Sequence, residues 1–314
     1  MKKNAFRLVS LLLVIAMVFA IGACGKKGDE TTTAEETTVE ETQDAGATEA
    51  TGETAATSET AAETEAQTEG QTEAQTQAPS QPASEVPQGK EAILAAYTKV
   101  MNKAKQDKPA YKKIEFQKIP DDSQNRKVRK GENTIGKLLG VVDSLGVMTP
   151  EDKAKVEELQ KGNDMKWFPI HKNSKGCLLT DVSAIKEAKA EKLANGNIRL
   201  EITLVDEKNS QPAAENAATS PSKIGAMFTP LAKADIDNTL NSGVVKAVVR
   251  DIKYDLTFHD CKAVLEYNPA NDQIVKLEQY MVIRIDAQGK VLLLGDFDLT
   301  QELYNTMKTY DFVY

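Results

Sequence analysis

Histidine is scarce in this chain of 314 residues. There are two, His171 and His259, alongside three cysteines and one tryptophan. Two histidines far apart in sequence rule out an HExxH metal motif, and no second ligand pair stands at zinc spacing beside His259. There is no glycine-rich phosphate loop and no nucleophile elbow. No basic stretch interleaved with aromatics stands out, which argues against nucleic acid as a partner. No apolar run reaches the roughly 20 residues that a helix needs to cross a bilayer. Lysine and arginine are missing from Gly28 to Gly89, and no aromatic lies between Phe19 and Tyr97. These absences leave three stretches of different composition.

The first stretch reads as an export signal. Lys2, Lys3 and Arg7 form a basic start, and Leu8 to Ile21 is apolar apart from Ser10. That run has the length of a signal-peptide core. The small pair Gly22-Ala23 follows, then Cys24, then a polar sequence. Ile-Gly-Ala-Cys resembles the lipobox of bacterial lipoproteins. The resemblance covers residues 1 to about 28. It implies cleavage before Cys24, a diacylglycerol on its sulfur and attachment to the outer face of the cell membrane. Each buried CH₂ contributes about 0.8 kcal/mol, so two or three acyl chains anchor a protein stably. The other reading is an ordinary secretory signal with an incidental cysteine. The division expected is a signal peptide at 1–23, an anchor and spacer at 24–89, and a folded extracytoplasmic domain at 90–314.

The spacer is rich in Thr, Glu, Ala and Gln, with a near-repeat of four in "TEAQTEGQTEAQTQAP" (64–79). It has too little apolar surface to offset the entropy of ordering, which predicts a disordered acidic linker. An ideal flexible chain of this length spans about 45 Å root-mean-square, and charge repulsion extends it. This segment carries fifteen Asp or Glu and no Lys or Arg, so the chain's net charge of −8 is negative on its account. Residues 90–314 carry a small positive excess, so the acidity says little about the domain's partners.

Within 90–314 the periodicity changes along the chain. Ile93, Leu94, Tyr97, Val100 and Met101 form a helical stripe over 90–106. "YKKIEFQKI" (111–119) alternates as a strand does. A short helix is expected over 133–146. Another is expected over 149–162, where Thr149 and Pro150 make a strong start signal. "AIKEAKAEKL", Asn195-Gly196 and "NIRLEITLV" make a hairpin pattern. A helix is expected over 230–243. In "DIKYDLTFHDCKAVLEY" (251–267) the alternation changes phase near His259-Asp260, which calls for a bulge or a bend between two strands. "NPAND" and "DAQGK" read as turns, with strands over 273–285 and 291–299. The expected class is α+β: a twisted antiparallel meander of about four to six strands packed by helices.

"YDLTFHDCKAVLEYN" (254–268) and "YDFVY" (310–314) give residues 90–314 a likeness to uncharacterised surface lipoproteins of Gram-positive bacteria. A helix-packed antiparallel sheet is also similar in architecture to the half-barrels of lipoprotein carriers, without a shared motif.

Cys177 and Cys261 leave two readings open: a disulfide in an export-permissive compartment, or two buried thiols. His259, Asp260 and Cys261 make a poor metal set, read as a polar bulge. The pairs Ser183/Lys186 and Ser220/Lys223 have Ser-x-x-Lys spacing without companion motifs. "DIDN" (235–238) and "GDFD" (295–298) lack the ligand order of a calcium loop. Trp167 and Phe168 are read as a plug of the core or, with Tyr97, as the lining of an apolar pocket. No cofactor and no catalysis are implied. The function expected is a membrane-anchored binding module for an apolar small molecule, a peptide or a wall component. The alternative is a structural or adhesive surface protein without a small-molecule site. A wall-polymer hydrolase has least support.

Overall fold

A computed structural model describes residues 85–120, 124–137 and 149–314. Cys24 and the acidic linker lie outside the described residues, as does the second half of the helix expected over 133–146.

The stripe at 90–106 becomes helix α1 (Gly89–Asp107), and its apolar face is buried through Ala104. The chain leaves it through Lys108 in the left-handed region, whose N–H donates to the Ala104 carbonyl. Pro109 follows and cannot continue a helix. Then come β1 (Ala110–Lys118) and β2 (Arg126–Lys130). Residues 132–137 are helical.

The helix expected over 149–162 is not formed. Thr149-Pro150 starts only a single 3₁₀ turn, Glu151–Lys153, and strand β3 (Glu157–Leu159) follows. The reason lies in the composition. Val156 and Leu159 are the only large apolar residues there, and a helix that is polar all round has no face to bury. The extended form pairs with β1 instead. It sets Glu157 against Lys113, whose side chain is almost fully buried, at 3.5 Å.

The Asn-Gly hairpin forms as expected between β4 (Ile185–Lys192) and β5 (Ile198–Leu204). Ile198, Leu200, Ile202 and Leu204 alternate inward and are fully buried. At about 1.5–3 kcal/mol per buried aliphatic side chain, this strand is a main contributor to the core. Strand β6 (Glu207–Lys208), helix α2 (Lys233–Leu240) and helix α3 (Gly243–Val248) precede three long strands. These are β7 (Val249–Asn268), β8 (Gln273–Val291) and β9 (Gly295–Val313).

The described residues therefore build an antiparallel, β-rich fold with few helices. The sheet has nine strands in the order β3-β1-β9-β8-β7-β5-β4, with β2 on β9 and β6 on β7. Four to six strands in an α+β arrangement understates the sheet. β3 and β6 are too short to show a period, and β9 runs on where the sequence suggested a single short strand.

The phase change near His259-Asp260 is a bulge within one strand. His259 pairs with Val282 and Lys262 with Tyr280, so β7 carries one extra residue, and Asp260 adopts φ 48°. The expected turn at 286–290 is wrong by several residues: β8 continues through it to Val291, and residues 292–294 turn instead. Gly289 survives inside the strand because the Phe297 ring of β9 lies over it. A Cβ there would meet that ring at 3.1 Å.

The main core sits between the sheet and α1, with residues 165–185 and 224–228 completing it. A second small cluster, Ile135, Val248, Val291 and Phe297, seals the end of the sheet where β8 turns into β9.

Candidate functional site

One sheet face carries α1 over β4, β5 and β8. Beyond the helix the cover changes to loops, and there a cavity of about 360 Å³ opens. Its floor is three strands in register. Gln117 of β1, Asn305 of β9 and Met281 of β8 form one row across the sheet. Leu303 and Ile283 extend it on one side and Glu115 on the other. The walls come from Trp167 and Ile170 to Lys172, from Pro212, Ala213 and Glu215, from Thr229 to Ala232, and from Asp235 of α2.

The Trp167 wall is held from beneath by Lys105. This lysine continues the Tyr97–Met101 row of α1 at four-residue spacing and is 5 % exposed. Its ammonium donates to the carbonyls of Met165, Phe168 and Ile170 at 2.8, 2.9 and 3.0 Å. Three carbonyls converge on this one amine, so the loop is wrapped around the Lys105 head group. Burial pushes the Lys105 pKa down to about 7, and the nearby Asp164 carboxylate opposes that shift.

His171 leads the chain out of this loop. Its N–H donates to Thr229 Oγ1 at 3.1 Å, and its ring meets Trp167 edge-on at a centroid distance of 5.4 Å. Desolvation pushes the His171 pKa down to about 3, helped by the charges of Lys113 and Lys105, so the ring is neutral at the cavity wall. Lys172 pairs with Glu215 at 3.3 Å and ties two walls together. Asn305 Oδ1 is buried and has no hydrogen-bond partner among the described residues. The cavity thus combines apolar side chains (Ile170, Leu231, Met281, Ile283, Leu303) with polar groups on its floor (Glu115, Gln117, Asn305) and walls. It can hold a small, partly apolar molecule and orient a polar end.

Of the three residues read as pocket lining, Trp167 lines the cavity. Phe168 and Tyr97 do not: both are fully buried in the main core. Phe168 packs edge-on against Tyr111 and Phe312. Tyr97 fills the α1 interface, with its hydroxyl beside Gln279 of β8. Cys177 and Cys261 are free buried thiols, so the bridge between them is not made. Thr98 Oγ1 lies 3.3 Å from Cys177 Sγ beside α1, whereas Cys261 lies on β7, where burial pushes its pKa up to about 12.

The remaining candidates are accounted for locally. His259 Nδ1 lies 2.8 Å from Asp260 Oδ2 at the bulge. No group of three metal-ligating side chains occurs among the described residues. Ser183 Oγ donates to Asp181, while Lys186 pairs with Asp260. Ser220 Oγ donates to the Ser222 carbonyl. Neither serine is bonded to its lysine. Asp296 and Asp298 pair with Lys130 and Arg129, and Asp237 accepts from the Tyr254 hydroxyl.

Sequence reasoning missed the floor and two of the walls. Met281 and Ile283 could be placed inward by alternation, but nothing local tells a strand face under a helix from one under a cavity. Lys105 left a signal, a charged residue on an apolar helical row. No family model matches the chain, no curated protein matches it, and no solved structure matches its fold.

Proposed function

We propose that this chain is a bacterial lipoprotein that works as an extracytoplasmic binding module, without catalysis. The acylated Cys24 holds it on the outer face of the cell membrane, and the acidic stretch that follows joins this anchor to the folded domain. The observation that carries the binding role is the cavity between the sheet and its loops, lined by apolar side chains and by polar groups on its floor and walls. Its 360 Å³ is at the small end of ligand sites. That favours a small molecule, or a single side chain of a peptide or wall component, over a whole lipid.

Trp167 lines the cavity and is the only tryptophan, so its emission reports occupancy directly. Native mass spectrometry of the full chain from its membrane fraction is expected to show a bound species. Its removal should shift Trp167 emission and its return should restore it. A chain free of adducts, with emission unmoved by small amphiphiles and wall fragments, defeats the binding role. The anchor has a separate readout. Intact mass should show cleavage before Cys24 and added acyl chains, and an unmodified protein free in the medium removes the placement.

A further inference from the structure

We propose that the β8–β9 hairpin tip and the cations around it form a docking surface for an anionic phospholipid bilayer. The tip is a three-residue loop, Leu292-Leu293-Leu294, closed by the Leu294 N–H donating to the Val291 carbonyl at 3.1 Å. Leu292 is 42 % exposed and Leu293 is 84 % exposed. Leu293 also holds φ 68°, a region where turns normally place Gly or Asn. A large apolar side chain thus stands outward at a position that disfavours it twice.

The second observation is charge. Lys246 of α3, Arg250 and Lys253 of β7 and Lys290 of β8 are exposed near this tip. The Leu292 N–H donates to Val248, two residues from Lys246. Arg250 and Lys290 are direct cross-strand partners. Like charges so placed oppose each other, yet none of these four cations has an ion-pair partner among the described residues. Lys246, Arg250 and Lys253 line a polar groove of about 660 Å³. Of the carboxylates in that groove, Asp237 is taken up by the Tyr254 hydroxyl and Lys233, which leaves Asp251 against Lys246 and Arg250. Asp296, across from Lys290, pairs with Lys130, and Lys253 lies beside Asp255, Asp286 and Asp298 at the inner end of the patch.

An anionic bilayer answers both features. The leucines enter the boundary of the acyl region, and the lysines and arginine lie at the level of the phosphates. A protein partner fits less well, because two exposed leucines offer far less apolar area than a stable protein interface buries. This surface is separate from the cavity and does not depend on acylation of Cys24.

The test places a polarity-sensitive dye on Leu293→Cys in the full chain, with Cys24→Ser so that the remaining thiols are the buried Cys177 and Cys261. The dye reads the tip alone, whatever else holds the chain to a vesicle. Vesicles of phosphatidylcholine mixed with phosphatidylglycerol are expected to brighten and blue-shift it, and phosphatidylcholine alone to leave it unchanged. Combining Lys246→Gln, Arg250→Gln and Lys290→Gln should weaken the vesicle response about a hundredfold. Should that variant fold poorly, high salt must weaken the parent response in the same direction. An unchanged dye, or an equal response to both vesicle types, overturns the proposal. So does a dye already blue-shifted before vesicles are added. Reversal of that shift on dilution would then identify a second copy as the occupant.

Discussion

The region under α1 and the region under the loops share one sheet face and are filled differently. Under the helix, Tyr97, Val100 and Met101 have no exposed surface, and Gly176 comes so close that a Cβ would lie 2.7 Å from the Met101 carbonyl oxygen. Under residues 167–172, 212–215 and 229–232 a cavity remains. A helix presents a continuous apolar stripe whose spacing interdigitates with a sheet at crystal-like density. Loops present no such stripe. Their backbone groups need partners, as the three carbonyls on Lys105 show, and what is left between them is space for a ligand.

The largest way to break this contrast is to create a void on the full side. Tyr97→Ala is expected to destabilise the folded domain by about 3–5 kcal/mol, measured by denaturant unfolding. A loss below about 1 kcal/mol would mean the α1 interface is not tightly packed.

Next comes the lysine that joins the two regions. Lys105→Met leaves three carbonyls without their donors and is expected to cost about 2–3 kcal/mol and to release the Trp167 wall. Its pH dependence has a defined sign. The folded pKa is lowered to about 7 from 10.5, so between those values the unfolded chain holds a proton that the folded chain has released. The contribution of Lys105 to stability therefore rises with pH from about 7 to about 10.5 and is flat below. Lys105→Met removes that slope. A parent protein whose stability is flat across this window would refute the shift.

Trp167→Ala should separate the regions most cleanly. It lines a cavity that is already open, so stability should fall by about 1 kcal/mol or less while the native adduct is lost. A loss as large as that of Tyr97→Ala would make Trp167 a core plug. The smallest effect is chemical. Cys177 and Cys261 should resist alkylation in the native state and both label on unfolding without reductant. Failure to label in the unfolded, unreduced chain would reveal a bridge.

Several features of the fold were legible because they are local. The Tyr97–Met101 spacing, the Ile198–Leu204 alternation around Asn195-Gly196 and the phase change at Asp260 each follow from a fixed period. The turn assigned to 286–290 failed for an equally physical reason. Asp, Gly and Lys carry turn chemistry in isolation, but Phe297 across the strand covers Gly289 and keeps β8 extended. Glu157 and Leu159 had no period to read at all, and only the partner Lys113 explains their pairing.

By its own composition the chain set the extent of the export-like segment, the acidic stretch that follows and the apolar rows of α1 and β5, since all of these depend on neighbours within a few residues. Which strands lie side by side, the burial of Lys105, the assembly of a cavity wall around Trp167 and the exposure of Leu293 depend on residues far apart in the chain, as far as Ala110 from Val313. Contacts of that kind exist only once the sheet has brought its strands together, and no window of sequence contains both partners.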